Sequence, residues 1–119
     1  MGEVRVQITV ANARTGTQSE ELTALADTRA TLAVVPGTVL QQLGIQRLRR
    51  VSLVLADSRR IERDAGDALI GLNGDAVPAR IIFGEPDDPV PLGLTVLEQL
   101  GLAVDPVQRR LVPTDYLLY

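Results

Sequence analysis

Apolar and polar residues alternate over several short stretches of this chain. Val4 to Val10 and Val51 to Leu55 both follow a period of two, which is typical of strands with one buried face. A return strand through Ile61 would complete a hairpin with the second stretch. Two further apolar runs, Ala68 to Leu72 and Val77 to Phe83, flank Asn-Gly, a strong signal for a tight hairpin turn. The pattern predicts a mainly β chain.

Two short segments resemble each other and interrupt the strand pattern. Thr38 to Ile45 and Thr95 to Leu102 are identical at six of eight positions. Each is typical of a short helix, and in the first Thr38 is the predicted N-cap and Gly44 the C-terminal cap. Chance similarity between short capped helices is one explanation. We favour an internal duplication, because both copies follow an apolar strand and a proline.

The composition restricts the chemistry available to the chain. Its 119 residues are 45% hydrophobic and 23% charged, which predicts a single folded domain over residues 1–119. The chain contains no Cys or His, and its basic residues are all Arg. Sites built on imidazole, thiolate or lysine are therefore excluded. An enzyme made from this chain must use carboxylates as its acid–base groups, and we expect no metal and no cofactor.

Charge and length give further expectations. The net charge of −3 provides no general attraction to nucleic acid. The arginines between Arg47 and Arg63 are interleaved with Asp57, Glu62 and Asp64, so we interpret them as a solvated, ion-paired face. No apolar stretch has the length of a membrane span, and no secretion signal is apparent. We expect a cytoplasmic protein that binds neither nucleic acid nor membranes.

One carboxylate stands in an apolar setting. Asp27 lies within the run from Ala24 to Pro36, and an ionised Asp is costly to bury unless it is paired, hydrogen-bonded or chemically useful. The simplest interpretation is an aspartate that accepts local hydrogen bonds in a turn. The surrounding residues suggest a more specific one.

The segment Leu25 to Thr31 resembles the Asp-Thr-Gly-Ala-Thr loop of the retropepsin-like aspartic proteases. Pro91 to Leu94 resembles the second signature of that family, and the hairpin from Val51 to Ala65 lies between them in the order of a flap. The resemblance covers nearly the whole chain and is strongest to small bacterial and archaeal members. It implies an acid-protease fold with a hairpin flap and one or two short helices, assembled as a homodimer.

The resemblance also implies a reaction and its residues. Asp27 would be the catalytic residue, one from each subunit, and the pair would hydrolyse a peptide or protein substrate with an activated water. Thr28, Arg29 and Ala30 would support the catalytic loop, and Thr28 would form hydrogen bonds across the dimer. The tip of the flap would comprise Asp57, Ser58, Arg59, Arg60 and Ile61.

The same family pattern implies how the loop and the dimer are held. Leu92, Gly93 and Leu94 would pack behind the catalytic loop. The terminal segments, Val4 to Val10 and Leu111 to Tyr119, would interleave with those of the second subunit. The catalytic loops of the two subunits would also contribute to the dimer interface. A partner subunit would then cover the apolar tail that begins at Tyr116.

Arg29 departs from the family pattern, which has glycine at this position. If its side chain points outward, the dimer is expected to act as an endopeptidase. If it points at the dyad, its charge would keep both carboxylates ionised, and the dimer would act as a peptide-binding or scaffolding module without catalysis. An introduced substitution at position 29 is a third explanation.

Overall fold

The computed structural model describes residues 3–16 and 18–118. Strands account for 51% of the described residues and two short helices for 11%, so the predicted mainly β class is confirmed. The strands are β1 (Arg5–Ala11), β2 (Ser19–Ala26), β3 (Ala33–Pro36), β4 (Arg49–Val54), β5 (Arg60–Leu72), β6 (Asp75–Gly84), β7 (Pro91–Leu92), β8 (Leu102–Asp105) and β9 (Arg110–Pro113), and the helices are α1 (Gly37–Gln42) and α2 (Leu94–Leu100).

Seven of these strands form one sheet, in the order β3-β6-β5-β1-β2-β7, with β4 beside β5. The β2–β7 and β3–β6 pairs are parallel, whereas the other pairs in the sheet are antiparallel. A parallel pair needs a long connection between its strands. In this chain the short strands β3 and β7 each lead directly into a helix, which packs against the core.

The two similar sequence segments adopt similar structures. Leu40 in α1 and Leu97 in α2 occupy matching positions and are 0% and 1% exposed. Gly44 and Gly101 follow their helices with φ of +73° and +68°, the left-handed conformation that glycine adopts at helix ends. The predicted N-cap at Thr38 is wrong, because α1 already begins at Gly37, directly after Pro36.

The Asn73-Gly74 turn is confirmed. The two residues have φ of +52° and +82°, and they join β5 to β6 with Leu72 opposite Asp75. Positive φ at both central positions is the conformation that Asn-Gly favours in two-residue hairpins. The turn pairs the two longest strands of the sheet.

A second hairpin joins β4 to β5, as predicted from the alternating residues. Its turn closes where Leu55 donates its N–H to the Arg59 carbonyl oxygen at 2.8 Å. Ser58 adopts φ of +71° within the turn. Beyond the hairpin, β5 continues without a break into the centre of the sheet, so the expected separate strands at Ile61 and at Ala68 to Leu72 are one strand.

The core consists of aliphatic side chains and one aromatic side chain, Phe83. Within the described residues no polar or charged residue is fully buried. Neither helix of the described part is long and apolar enough to cross a membrane.

The β8–β9 hairpin forms a separate small sheet, and the chain after β9 runs over the surface with Tyr116 70%, Leu117 94% and Leu118 86% exposed.

Candidate functional site

Asp27 lies directly after β2, a strand held on both sides. β2 pairs with β1 along its length and with β7 at its carboxyl end. The Asp27 N–H donates to the Leu92 carbonyl oxygen at 3.2 Å, and the Ala26 N–H donates to the Val4 carbonyl oxygen at 2.8 Å. These bonds determine where the backbone of Asp27 leaves the sheet.

The loop after Asp27 is fastened to the start of α2. The Ala30 N–H donates to the Asp27 carbonyl oxygen at 3.2 Å, which closes a tight turn. The carbonyl oxygens of Ala30 and Thr31 accept the N–H groups of Leu94 and Thr95 at 2.8 and 3.1 Å. Because these acceptors belong to the loop and the donors to the helix, the two segments form one unit.

Leu92 and Gly93 pack immediately behind this loop. Leu92 is completely buried. A Cβ on Gly93 would lie 2.6 Å from the carbonyl carbon of Leu32, which is closer than a side chain allows. The two backbones touch because position 93 is glycine. The Leu94 backbone takes part in the contact, while its side chain is 39% exposed.

The carboxylate of Asp27 is bound by Arg29. Its Oδ1 accepts the backbone N–H of Arg29 at 2.9 Å and the side-chain Nε–H at 3.2 Å. The Asp27 side chain is 30% exposed and that of Arg29 is 89% exposed. Oδ2 has no hydrogen-bond donor among the residues that the structure describes. One oxygen is therefore engaged by the loop and the other is available for chemistry.

This arrangement changes the acidity of Asp27. Burial raises the pKa of its carboxyl, but the hydrogen bonds from the backbone and side chain of Arg29, together with the positive charge, lower it by more. The pKa of Asp27 therefore lies below its ordinary value, and the ionised form is favoured. The bond to the backbone N–H would remain in any variant of position 29 except proline.

The other predicted loop residues differ in their surroundings. Thr28 is exposed, and within the described part of the chain its hydroxyl has no hydrogen-bond partner. Ala30 is half-buried and forms one side of the groove described next. In one chain, the loop presents a single catalytic candidate and an unpaired Thr28.

A groove of about 510 Å³ lies between the loop and the β4–β5 hairpin; we call it the hairpin groove. It is lined by Arg29 to Leu32 on one side, by Val51 to Leu55 on the other, and by Val34 and Ile82 from β3 and β6. Most of these side chains are aliphatic. The groove therefore suits an apolar ligand that enters beside the Asp27 loop.

A smaller cavity of about 130 Å³ shares Val34, Leu53, Leu55 and Ile82 with the hairpin groove. Ile61 lines it from β5, because the β4–β5 register places Ile61 opposite Leu53. The apolar lining thus continues along the inner face of the hairpin.

The predicted flap residues divide into two groups. Asp57, Ser58 and Arg59 form the exposed turn, where Asp57 Oδ2 accepts the Arg59 Nε–H at 2.6 Å. Arg60 and Ile61 were expected at the tip but lie in β5, because the bond between Leu55 and Arg59 closes the turn before them.

Two charged residues at the smaller cavity were not recognised from the sequence. Arg63 and Asp88 line it, with 3.7 Å between Arg63 Nε and Asp88 Oδ2. The interleaved charges of the sequence are interpreted as a solvated, ion-paired face. Side chains alternate between the two faces of β5, so Arg63 lies on the same side as Ile61. This alternation is the one sequence signal that could have identified Arg63 as a residue of the cavity.

Within residues 3–16 and 18–118, no cluster of three or more acidic side chains could hold a metal ion. No protein-family model matches the chain, and no curated protein matches it. The argument for a function therefore depends on the residues and geometry described above.

Proposed function

We propose that the chain is an aspartic endopeptidase with a retropepsin-like fold and that it acts as a homodimer. The observation that carries this proposal is the position of Asp27. Its partly exposed carboxylate follows β2, which pairs with β1 and β7, in a loop locked against Leu92 and Gly93, beside an apolar groove covered by a hairpin.

The proposed chemistry needs two Asp27 carboxylates, one from each subunit. Two carboxylates in contact cannot both ionise readily, so they share a proton. The ionised one removes a proton from a water molecule, which attacks the scissile carbonyl carbon. The other donates its proton to the carbonyl oxygen. Collapse of the resulting diol, with proton transfer to the amine, breaks the peptide bond and restores the shared proton.

The substrate would lie in the hairpin groove as an extended peptide, with the β4–β5 hairpin as its flap. The aliphatic lining from Val51, Leu53 and Ile82 supports binding of an apolar peptide side chain. The exposed Leu117 and Leu118 support a second copy as partner, because neighbouring apolar side chains of this size are commonly covered in an interface.

A second candidate function is favoured by one observation, the ion pair between Asp27 and Arg29. If this pair persists in the dimer, both Asp27 carboxylates remain ionised and no shared proton is available. The dimer would then bind peptides in the same groove without cleaving them.

Cleavage of an unfolded protein mixture from acidic to neutral pH tests both candidates. Three versions of the chain are compared: the wild type, Asp27→Asn and Arg29→Gly. Activity in the wild type that is lost in Asp27→Asn would support the endopeptidase. Activity only in Arg29→Gly would mean that Arg29 switches the site off. Inactivity of all three as intact dimers would favour the binding module.

A further inference from the structure

We propose that Arg29 is a specificity-determining residue that binds a carboxylate of the peptide, so the preferred peptide carries an acidic side chain beside its aliphatic residues. This inference names the ligand class of the proposed peptide site and therefore rests on the proposed function. It holds for a peptide that is cleaved and equally for one that is only bound.

The hydrogen bonds of Arg29 support this role. Its guanidinium contacts Asp27 through Nε alone, and within the described residues its two terminal nitrogens have no partner. Those nitrogens form the edge of the guanidinium that binds carboxylates with two parallel hydrogen bonds. Because the side chain is 89% exposed, an incoming carboxylate can reach this edge.

The position of Arg29 determines what else the peptide must carry. Arg29 lines the hairpin groove together with Val51, Leu53 and Val34. Within the described chain it is the one charged residue that lines this groove. A peptide that places an aliphatic side chain against the hairpin therefore has a cation beside it, which complements Glu or Asp and repels Lys or Arg.

Binding of the peptide carboxylate would also affect Asp27. The Arg29–Asp27 contact is a single exposed bond of 3.2 Å, and such pairs contribute little. A carboxylate bound by both terminal nitrogens would compete with it and draw the guanidinium away. An acidic peptide would thus release Asp27 from its ion pair as it binds.

The test measures binding rather than cleavage. Octapeptides with a central Leu-Leu and an uncharged fluorophore carry Glu, Gln or Lys at each flanking position in turn. Fluorescence anisotropy gives their affinities for the wild type, Arg29→Gln, Arg29→Lys and Arg80→Gln. Arg80 is the matched control, because it is an exposed arginine of β6 that lines neither the hairpin groove nor the smaller cavity.

At the flanking position of the peptide where Glu is preferred most strongly over Gln, the Glu peptide is expected to bind the wild type and Arg80→Gln about tenfold more tightly than the Gln peptide. Arg29→Gln should reduce this preference to less than about twofold, and Arg29→Lys should restore part of it. The Glu peptide should also bind Asp27→Asn up to about threefold more tightly than the wild type. A preference that survives in Arg29→Gln, or its absence from the wild type, would overturn the inference.

The two proposals can fail separately. A preference that depends on Arg29, without cleavage of any peptide, would support this inference and contradict the endopeptidase. Cleavage that depends on Asp27 but does not distinguish Glu from Gln would support the endopeptidase and overturn the role of Arg29.

Discussion

Gly93 and Leu32 meet backbone to backbone at the base of the Asp27 loop. A Cβ on Gly93 would lie 2.6 Å from the carbonyl carbon of Leu32, 2.7 Å from its oxygen and 2.9 Å from its nitrogen. All three atoms belong to the backbone, so no side-chain rotation can relieve the overlap. This contact holds the segment that leads into β3 against the segment that leads into α2.

Gly93→Ala should therefore destabilise the fold. The new methyl group must push the two segments apart, and we expect the free energy of unfolding to fall by about 1–3 kcal/mol. Urea denaturation followed by circular dichroism measures this change. The Leu94 and Thr95 amides of α2 should lose protection from hydrogen exchange, because both donate to carbonyl oxygens of the loop that carries Asp27.

Gly74→Asn is the matched control for that substitution. Gly74 has φ of +82°, but a Cβ there meets nothing within 4 Å, and Asn tolerates positive φ better than other residues with a side chain. We expect a loss of no more than about 1 kcal/mol. An equal loss in both variants would mean that the contact with Leu32 has no special importance.

Arg29→Gln should shift the pH dependence of the proposed peptidase. Arg29 holds the pKa of Asp27 below its ordinary value, so the proposed dyad would take up its shared proton only at more acidic pH in the wild type. Removal of the guanidinium raises the pKa of Asp27. The alkaline limb of the kcat/KM profile should therefore move to higher pH in Arg29→Gln, and an unchanged limb would contradict this coupling.

The same ion pair should affect stability in a defined direction. The pKa of Asp27 is depressed in the folded state, so its contribution is present above the unfolded pKa and is lost as pH falls through the folded pKa. The guanidinium is largely exposed, so Arg29→Gln should lower the free energy of unfolding at neutral pH by at most about 1 kcal/mol. Denaturation at neutral and strongly acidic pH should show the difference shrinking in acid.

The exposed tail should be needed for assembly. Leu117 and Leu118 are 94% and 86% exposed in the single chain, and the proposed dimer would bury them. The double variant Leu117→Ser, Leu118→Ser should weaken dimerisation by about tenfold or more, because each buried leucine contributes about 1.5–3 kcal/mol. Analytical ultracentrifugation over a concentration series gives the dissociation constant.

Val107→Ser provides the comparison for the tail variant. Val107 lies in the turn between β8 and β9 and is 88% exposed, so this variant also replaces an exposed aliphatic side chain by serine, but outside the tail. We expect its dissociation constant to match that of the wild type. A wild-type chain that remains monomeric at high concentration would contradict the dimer and, with it, the shared dyad.

Asp64 should stabilise the hairpin in a pH-dependent way. Its carboxylate accepts hydrogen bonds from Arg47 Nη1 at 2.6 Å and Arg50 Nη1 at 3.1 Å, and these bonds hold the pKa of Asp64 below its usual range. The stabilisation is present above the unfolded pKa and disappears as pH falls through the depressed folded pKa.

Asp64→Asn should consequently lower the Tm at neutral pH and leave it nearly unchanged in strong acid. Thermal denaturation at several pH values measures this difference. Asp115→Asn serves as the control, because Asp115 is exposed and forms no ion pair within the described residues. A Tm loss in Asp64→Asn that is equal at every pH would contradict the proposed ion-pair origin.

The matching helices should contribute equally to the core. Leu40→Ala and Leu97→Ala each remove a fully buried side chain, and each should lower the free energy of unfolding by about 2–5 kcal/mol. Leu48→Ala is the exposed control, with 57% of Leu48 accessible, and should cost less than about 1 kcal/mol. A loss of stability in only one of these two variants would show that the two helices match in geometry but not in their contribution to stability.

The sequence by itself determined the features that depend on near neighbours. Alternating side chains predicted β1 and the β4–β5 hairpin, and Asn73-Gly74 predicted the turn between β5 and β6, because these preferences act over a few residues. The two similar segments predicted two helices that end at glycine. The absence of Cys, His and Lys restricted any catalytic chemistry to carboxylates.

Several features were missed where the local pattern is weak. The charges from Glu62 to Asp67 concealed the continuity of β5, which is held by pairing with β4 and β6. β8 escaped recognition because its half-buried residues pair with β9 alone. The role of Asp27 stays a prediction from a resemblance, since the structure of one chain contains only half of the proposed dyad.

Tertiary structure decided the surroundings of the site. The hairpin groove brings Arg29 to Leu32 together with Val51 to Leu55 and Ile82, although these segments are far apart along the chain. The contact between Leu32 and Gly93, like the Arg63–Asp88 pair, depends on how the sheet folds. Local preferences determine which strands and turns can form, whereas the packing of distant segments determines which side chains meet.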